Sequence, residues 1–240
     1  MRLVSLTFTL ILCLCAAASA QLEQIIKEAD QALEHRDVSS LSDSKIVSGL
    51  KQALEISTSK AVATTGKPDG FLKNEAIKIV LPAKLETVGQ GLRMLGMGAK
   101  VDELEVGMNR AAEQATPQAK AIFLSSLKKM TFDDARHILT GNDTAATDYF
   151  KRTSSADLTT AFTPIVHQSM EHVGVVAQYD RVMNDSPAAS FLSNEFDLDK
   201  YVVGKTLDGL FYMLGQEEKK IRKDPAAQTT DLLKEVFGRK

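Results

Sequence analysis

From Ser44 onward, nearly every stretch of this 240-residue chain repeats its apolar residues at three- and four-residue intervals. That is the period of an α-helix and not of a strand. Ile46, Leu50, Ala53 and Leu54 share one face, as do Leu85, Val88, Leu92 and Leu95. Val101, Leu104, Met108, Ala112 and Ala115 come next, then Phe123, Leu127 and Met130. The clearest stripe is Val203, Leu207, Leu210 and Leu214, in a segment from Asp197 to Arg222. Only Ile77–Leu81 alternates like a strand. These patterns predict an all-α fold: one multi-helix domain of about nine or ten helices over residues 45–238, with at most one short extended segment. No fixed repeat is visible, which argues against a solenoid.

Punctuation residues divide the helices. Gly66 and Pro68 end the first, and Lys67-Pro68-Asp69-Gly70 reads as a turn. Gly96 and Gly98 end the second, and Pro117 breaks the third. Thr131 with Asp134 three residues on is a capping pattern. Gly141 comes after a stripe ending at Leu139, a placement that suggests a left-handed C-terminal glycine, with Asn142 capping the next segment. Separate short helices are expected over 144–150 and from Ser155 to Phe162, with Pro164 kinking the chain or opening another. Residues 184–194 look like a loop, and Thr230–Phe237 like a last short helix.

The amino terminus has a different character. Arg2 precedes an apolar run of 16 residues, Leu3–Ala18, and Ala18-Ser19-Ala20 is a small-x-small cleavage site. The run is shorter than the roughly 18 residues a membrane span needs. Residues 1–20 therefore read as a signal peptide, with a retained anchor as the alternative. Residues 21–44 are a polar segment or linker. Both cysteines, Cys13 and Cys15, lie in the leader, and Leu12 and Leu14 before them do not fit a lipobox. A chain starting at Gln21 has no disulfide and no thiol nucleophile, so its core alone must hold it.

Composition excludes further classes. With 44% hydrophobic and 25% charged residues the chain is neither disordered nor fibrous. A net charge of −2 provides no basic field for nucleic acid. No Gly-x-x-x-x-Gly-Lys loop, dinucleotide fingerprint or Gly-x-Ser-x-Gly elbow is present, so no cofactor and no catalytic residue is assigned.

Three clusters remain. His167-Gln-Ser-Met-Glu171-His172 resembles an inverted zinc-protease motif but has one residue too many between the first His and the Glu-His pair. Zinc is therefore not expected, and the string reads as a solvated helix face, as does Glu217–Lys223, where Glu218 and Arg222 form an i, i+4 pair. Asn109, Arg110 and Glu113 sit among Met108, Ala111, Ala112 and Ala115, whose small side chains let another helix approach. Such polar groups need partners, so they form either a structural hydrogen-bond network or a pocket wall. Gly141–Thr144 joins two helices ahead of Thr147, Tyr149 and Lys151, where free amides could hold an anion, although Asp143 competes for that place. Asn109, Arg110, Glu113, Thr147, Tyr149 and Lys151 are the candidate ligand-binding residues.

Four strings carry a family likeness: Met108-Asn-Arg-Ala-Ala-Glu-Gln-Ala115, Met130-Thr-Phe-Asp-Asp-Ala135, Ile138-Leu-Thr-Gly-Asn-Asp-Thr-Ala-Ala-Thr147 and Leu207-Asp-Gly-Leu-Phe211. Together they resemble the family called domain of unknown function 4197. The resemblance runs from about Leu50 to Gly238. It implies a helical domain exported to the envelope of Gram-negative bacteria, and it implies no activity.

The expected protein is thus exported, periplasmic or secreted, and more a binder than an enzyme. Its partner is a small ligand, an envelope protein or a second copy. A hydrolase built on His167 and Glu171, or a purely structural role, are the alternatives. Intact-mass analysis of protein from its own host should find Gln21 as the first residue and no lipid on Cys13 or Cys15.

Overall fold

The computed structural model describes residues 47–172 and 197–228. The signal peptide, the linker, the 184–194 loop and the last short helix expected from the sequence lie outside those residues. The chain divides after Ser48, and the helical unit runs from Gly49 on.

Helix α1 covers 47–65. Beyond it come α2 (Ala83–Met94), α3 (Gly98–Ala115), α4 (Ala119–Lys129), α5 (Phe132–Thr140), α6 (Ala145–His172) and α7 (Leu198–Lys223). Single 3-10 turns cover Thr116–Gln118 and Pro225–Ala227. Among the described residues there is no strand, and the fold is all-α. No helix among them is long and apolar enough to cross a membrane.

Among the described residues there are seven α-helices rather than nine or ten, and α6 is one helix where the sequence suggests two or three. Ser155 is not a cap. Its hydroxyl donates to the Lys151 carbonyl one turn back, and Thr153, Thr159, Thr160 and Thr163 do the same along the helix. Pro164 lies inside, yet the buried stripe of Phe150, Leu158, Phe162, Val166 and Met170 continues on both sides of it. Packing overrides the local break, because interrupting the helix would lift Val166 and Met170 out of the core.

Helix α6 is the centre of the unit and packs against α3, α4, α5 and α7. Where α4, α6 and α7 meet, the Phe123 ring stands edge-on to Phe150 at 5.0 Å and to Phe211 at 6.1 Å. Phe71, from the 66–82 loop, is fully buried against α7.

The capping box on α5 is present in both directions: Thr131 Oγ1 accepts from the Asp134 amide at 3.1 Å, and Asp134 Oδ2 accepts from the Thr131 amide at 3.1 Å. Gly141 departs from the left-handed conformation its position suggests. Its φ of −78° and ψ of −175° are ordinary extended backbone, open to any residue. What it needs is room: a β-carbon there would stand 2.6 Å from Ala145 Cβ and 2.7 Å from the His137 carbonyl. Glu217–Lys223 is also not a solvated face, since Glu217, Glu218 and Ile221 are all buried.

Two glycines of α7 make opposite demands. A β-carbon on Gly209 would lie 2.6 Å from the Phe71 ring, whereas one on Gly204 would meet nothing within 4 Å. Gly209→Ala should destabilise by roughly 1–3 kcal/mol through overpacking. Gly204→Ala should stabilise by up to about 1 kcal/mol, by helix propensity alone. Denaturant unfolding of the two variants separates these outcomes.

Candidate functional site

Asn109, Arg110 and Glu113 are drawn into one network by the 66–82 loop. Glu105, Asn109 and Glu113 recur every fourth residue and so lie along one side of α3. Asn109, fully buried, accepts from the Ile79 amide at 2.9 Å and donates to the Ile79 carbonyl at 2.7 Å. Its carboxamide pairs with Ile79 as a neighbouring strand would. Glu105 accepts from the Leu81 amide at 3.3 Å. The extended segment suggested by Ile77–Leu81 is thus held by side chains of a helix rather than by another strand.

Glu113 continues the pattern. One carboxylate oxygen accepts from the Phe71 and Leu72 amides, both at 3.1 Å, and the other takes Arg110 at 2.6 Å. The remaining arm of Arg110 reaches Asp69 at 2.7 Å, and Lys73 adds a second cation to that carboxylate. Lys73 first, then Arg110, holds the Asp69 carboxyl below its usual range. Asn109, Arg110 and Glu113 have the geometry of a structural clamp: each bonds the 66–82 loop, and Arg110 and Glu113 also bond each other.

At the start of α6 an anion is indeed held, and it is the chain's own. The carboxylate of Glu218, a residue of α7, accepts from the Ala146 and Thr147 amides at 2.9 Å each and from the Thr147 hydroxyl at 2.8 Å. Arg222 closes the other side with two bonds of 3.0 and 2.9 Å, and also donates to the Ile138 carbonyl at 2.7 Å. Asp143 turns away to pair with Lys223, which lowers its pKa. Asn142 still serves as a cap, accepting from the Thr144 amide at 2.9 Å. Tyr149 donates to the Ser126 carbonyl at 2.9 Å, and burial pushes its phenol up. Lys151 is exposed and lies 5.8 Å over the Phe211 ring. The six candidate residues thus fall into two groups. Arg110 is engaged by the 66–82 loop and by its own helix, whereas Thr147 and Tyr149 are engaged by α7 and α4.

The sequence points to His167 and Glu171 but not to their partner across the fold. His167 Nδ1 lies 2.6 Å from Asp199 Oδ2 of α7, and Nε2 lies 3.4 Å from Glu171 on its own helix. The Asp199 hydrogen bond, reinforced by both carboxylate charges, raises the imidazole pKa above its ordinary 6.5. A carboxylate facing each ring nitrogen favours the charged form of the imidazole. Among the described residues no group of three His, Cys, Asp or Glu is placed to hold a metal ion.

Asp199 also lines a cleft of about 530 Å³ between α6 and α7. Thr159 and Thr163 form one wall, Lys200 and Val203 the other, and Gly204 opens it. A glycine in the middle of the most regular helix was the available sequence signal for this cleft. Asp199 gave none, because it stands 32 residues from His167.

The His167–Asp199 link has a definite pH sign. Its stabilisation is present below the ordinary histidine range and is lost as pH rises through the higher folded-state value. NMR titration of His167 should give a midpoint above 6.5, and Asp199→Asn should bring it back toward that value.

No curated protein and no solved structure matches the chain. The family model described as "Protein of unknown function (DUF4197)" matches residues 40–238. That match covers most of the sequence and includes α1 to α7, so the chain belongs to the DUF4197 family.

Proposed function

We propose that this is a non-enzymatic exported protein of the cell envelope that binds a small ligand or partner segment in the cleft between α6 and α7. The observation that supports this reading is Gly204. A glycine within a helix costs up to about 1 kcal/mol relative to alanine. No neighbour among the described residues requires it, since nothing lies within 4 Å of where its β-carbon would be. It does keep the cleft open. Val203, Leu207 and the threonine side chains offer an apolar lining, with Lys200 and Asp197 at one end.

The second reading is a hydrolase centred on His167 and Glu171. The Asp199–His167 contact is of the kind that orients a catalytic imidazole. The placement of Nε2 beside Glu171 weighs against it, because that nitrogen would have to face a nucleophile.

Gly204→Phe tests the binding reading, since the side chain fills the cleft where the fold leaves space. Native mass spectrometry of the chain purified from its own host should show a retained ligand or partner that is absent from the variant, while the melting temperature stays within a few degrees. Retention by both proteins would refute the cleft. Hydrolytic turnover lost in His167→Ala would favour the second reading.

A further inference from the structure

We propose that the α6–α7 cleft takes an apolar amine, held by its ammonium at Asp199 in competition with the proton on His167, a step that rests on the cleft being the binding site. Asp199 belongs to two arrangements at once. It lines the cleft, and its Oδ2 lies 2.6 Å from His167 Nδ1 on the facing helix. Its other carboxylate oxygen has no partner among the described residues. A ligand group that meets Asp199 from the cleft side therefore shares one negative charge with the imidazole on the other side.

The rest of the lining selects the ligand. Val203 and Leu207 supply apolar surface. The Thr159 and Thr163 hydroxyls donate to the Ser155 and Thr159 carbonyls at 2.8 Å each, so that wall offers methyl groups and no spare hydroxyl proton. Two carboxylates, Asp197 and Asp199, stand against one ammonium, Lys200. Asp197 caps α7, accepting from the Lys200 amide at 2.9 Å, and its charge offsets the positive end of that helix. Lys200 is exposed, and an ammonium in that position stays hydrated. With His167 neutral the lining has one negative charge in excess, and with His167 protonated the excess is cancelled. In neither state is the cleft positive, so its charge suits a cationic ligand rather than an anionic one.

The charged groups that face the His167 ring are Asp199 of α7 and Glu171 of its own helix. An imidazolium at one oxygen of Asp199 and an ammonium at the other repel each other. Bound amine thus loosens the proton that Asp199 helps His167 to hold, and by reciprocity the amine binds more tightly when the ring is neutral. The His167 side chain is 51% exposed, so its proton exchanges with the solvent and the cleft responds to external pH.

Three probes with one hydrocarbon chain and different heads test this: octylammonium, octanol and octanoate. An alkylammonium, like lysine, keeps its charge to about pH 9. Methyl NMR shifts of Val203 and Leu207 in the full chain report binding. Octylammonium should bind about threefold or more tighter than octanol, and octanoate weakest. The octylammonium dissociation constant should fall about fivefold between about pH 6 and about pH 9, and saturating octylammonium should lower the His167 midpoint. His167→Gln should make that constant independent of pH, and Asp199→Asn should erase the advantage over octanol. Gly204→Phe should block all three probes. Octanol or octanoate binding as tightly as octylammonium, or an octylammonium affinity that does not rise with pH, would overturn the proposal and leave the cleft standing. Methyl signals unmoved by every probe, or binding unchanged in Gly204→Phe, would remove the cleft as well.

Discussion

The buried carboxylate of Glu218 fixes the relation between the two longest helices. It receives two backbone amides and a hydroxyl from the start of α6 and two guanidinium bonds from Arg222. An anion this deep is tolerable only when so fully bonded. Removing either side would strand the other: without Glu218, α6 loses its N-terminal partner and Arg222 is left as a buried cation. Losses of that kind typically reach about 3–5 kcal/mol. Glu217 beside it faces the other way and takes Lys60 of α1 at 2.9 Å and Lys220 at 2.7 Å. Burial pushes that carboxyl up, but the two lysines outweigh it and leave it below the usual range. Adjacent glutamates on one helix thus tie α7 to α6 and to α1.

The 66–82 loop is held by the same logic on α3. Its amides find side-chain acceptors at Glu105, Asn109 and Glu113, so an irregular segment lies against a helix with its backbone satisfied. Phe71 can then bury its ring beside Gly209. Loop, α3 and α7 depend on one another through contacts that are polar on one side and apolar on the other.

Legibility in the sequence tracks the range of the forces involved. The stripes of α3 and α7 and the Thr131–Asp134 box depend on residues within a turn or two, and they are legible. The unbroken course of α6 is not, because Ser155 and Pro164 are local signals to stop, overruled by burial of Val166 and Met170 and by hydroxyls bonded to the preceding turn. Gly141 has the sequence context of a conformational requirement, yet the requirement is spatial. The polar residues of α3 stand out because their neighbours are alanines, but nothing local says that Asn109 meets Ile79. Asp199 and His167 come together only once α6 and α7 are packed.

The cap of α6 also has a temporal meaning. The amides of Ala146 and Thr147 wait for a carboxylate 72 and 71 residues further along the chain. During vectorial synthesis the central helix emerges first, and its amino end stays open to solvent until most of α7 has been made. The seal on α6 is therefore made only once α7 is nearly complete. A chain that stops short of Glu218 leaves the Ala146 and Thr147 amides of α6 to water.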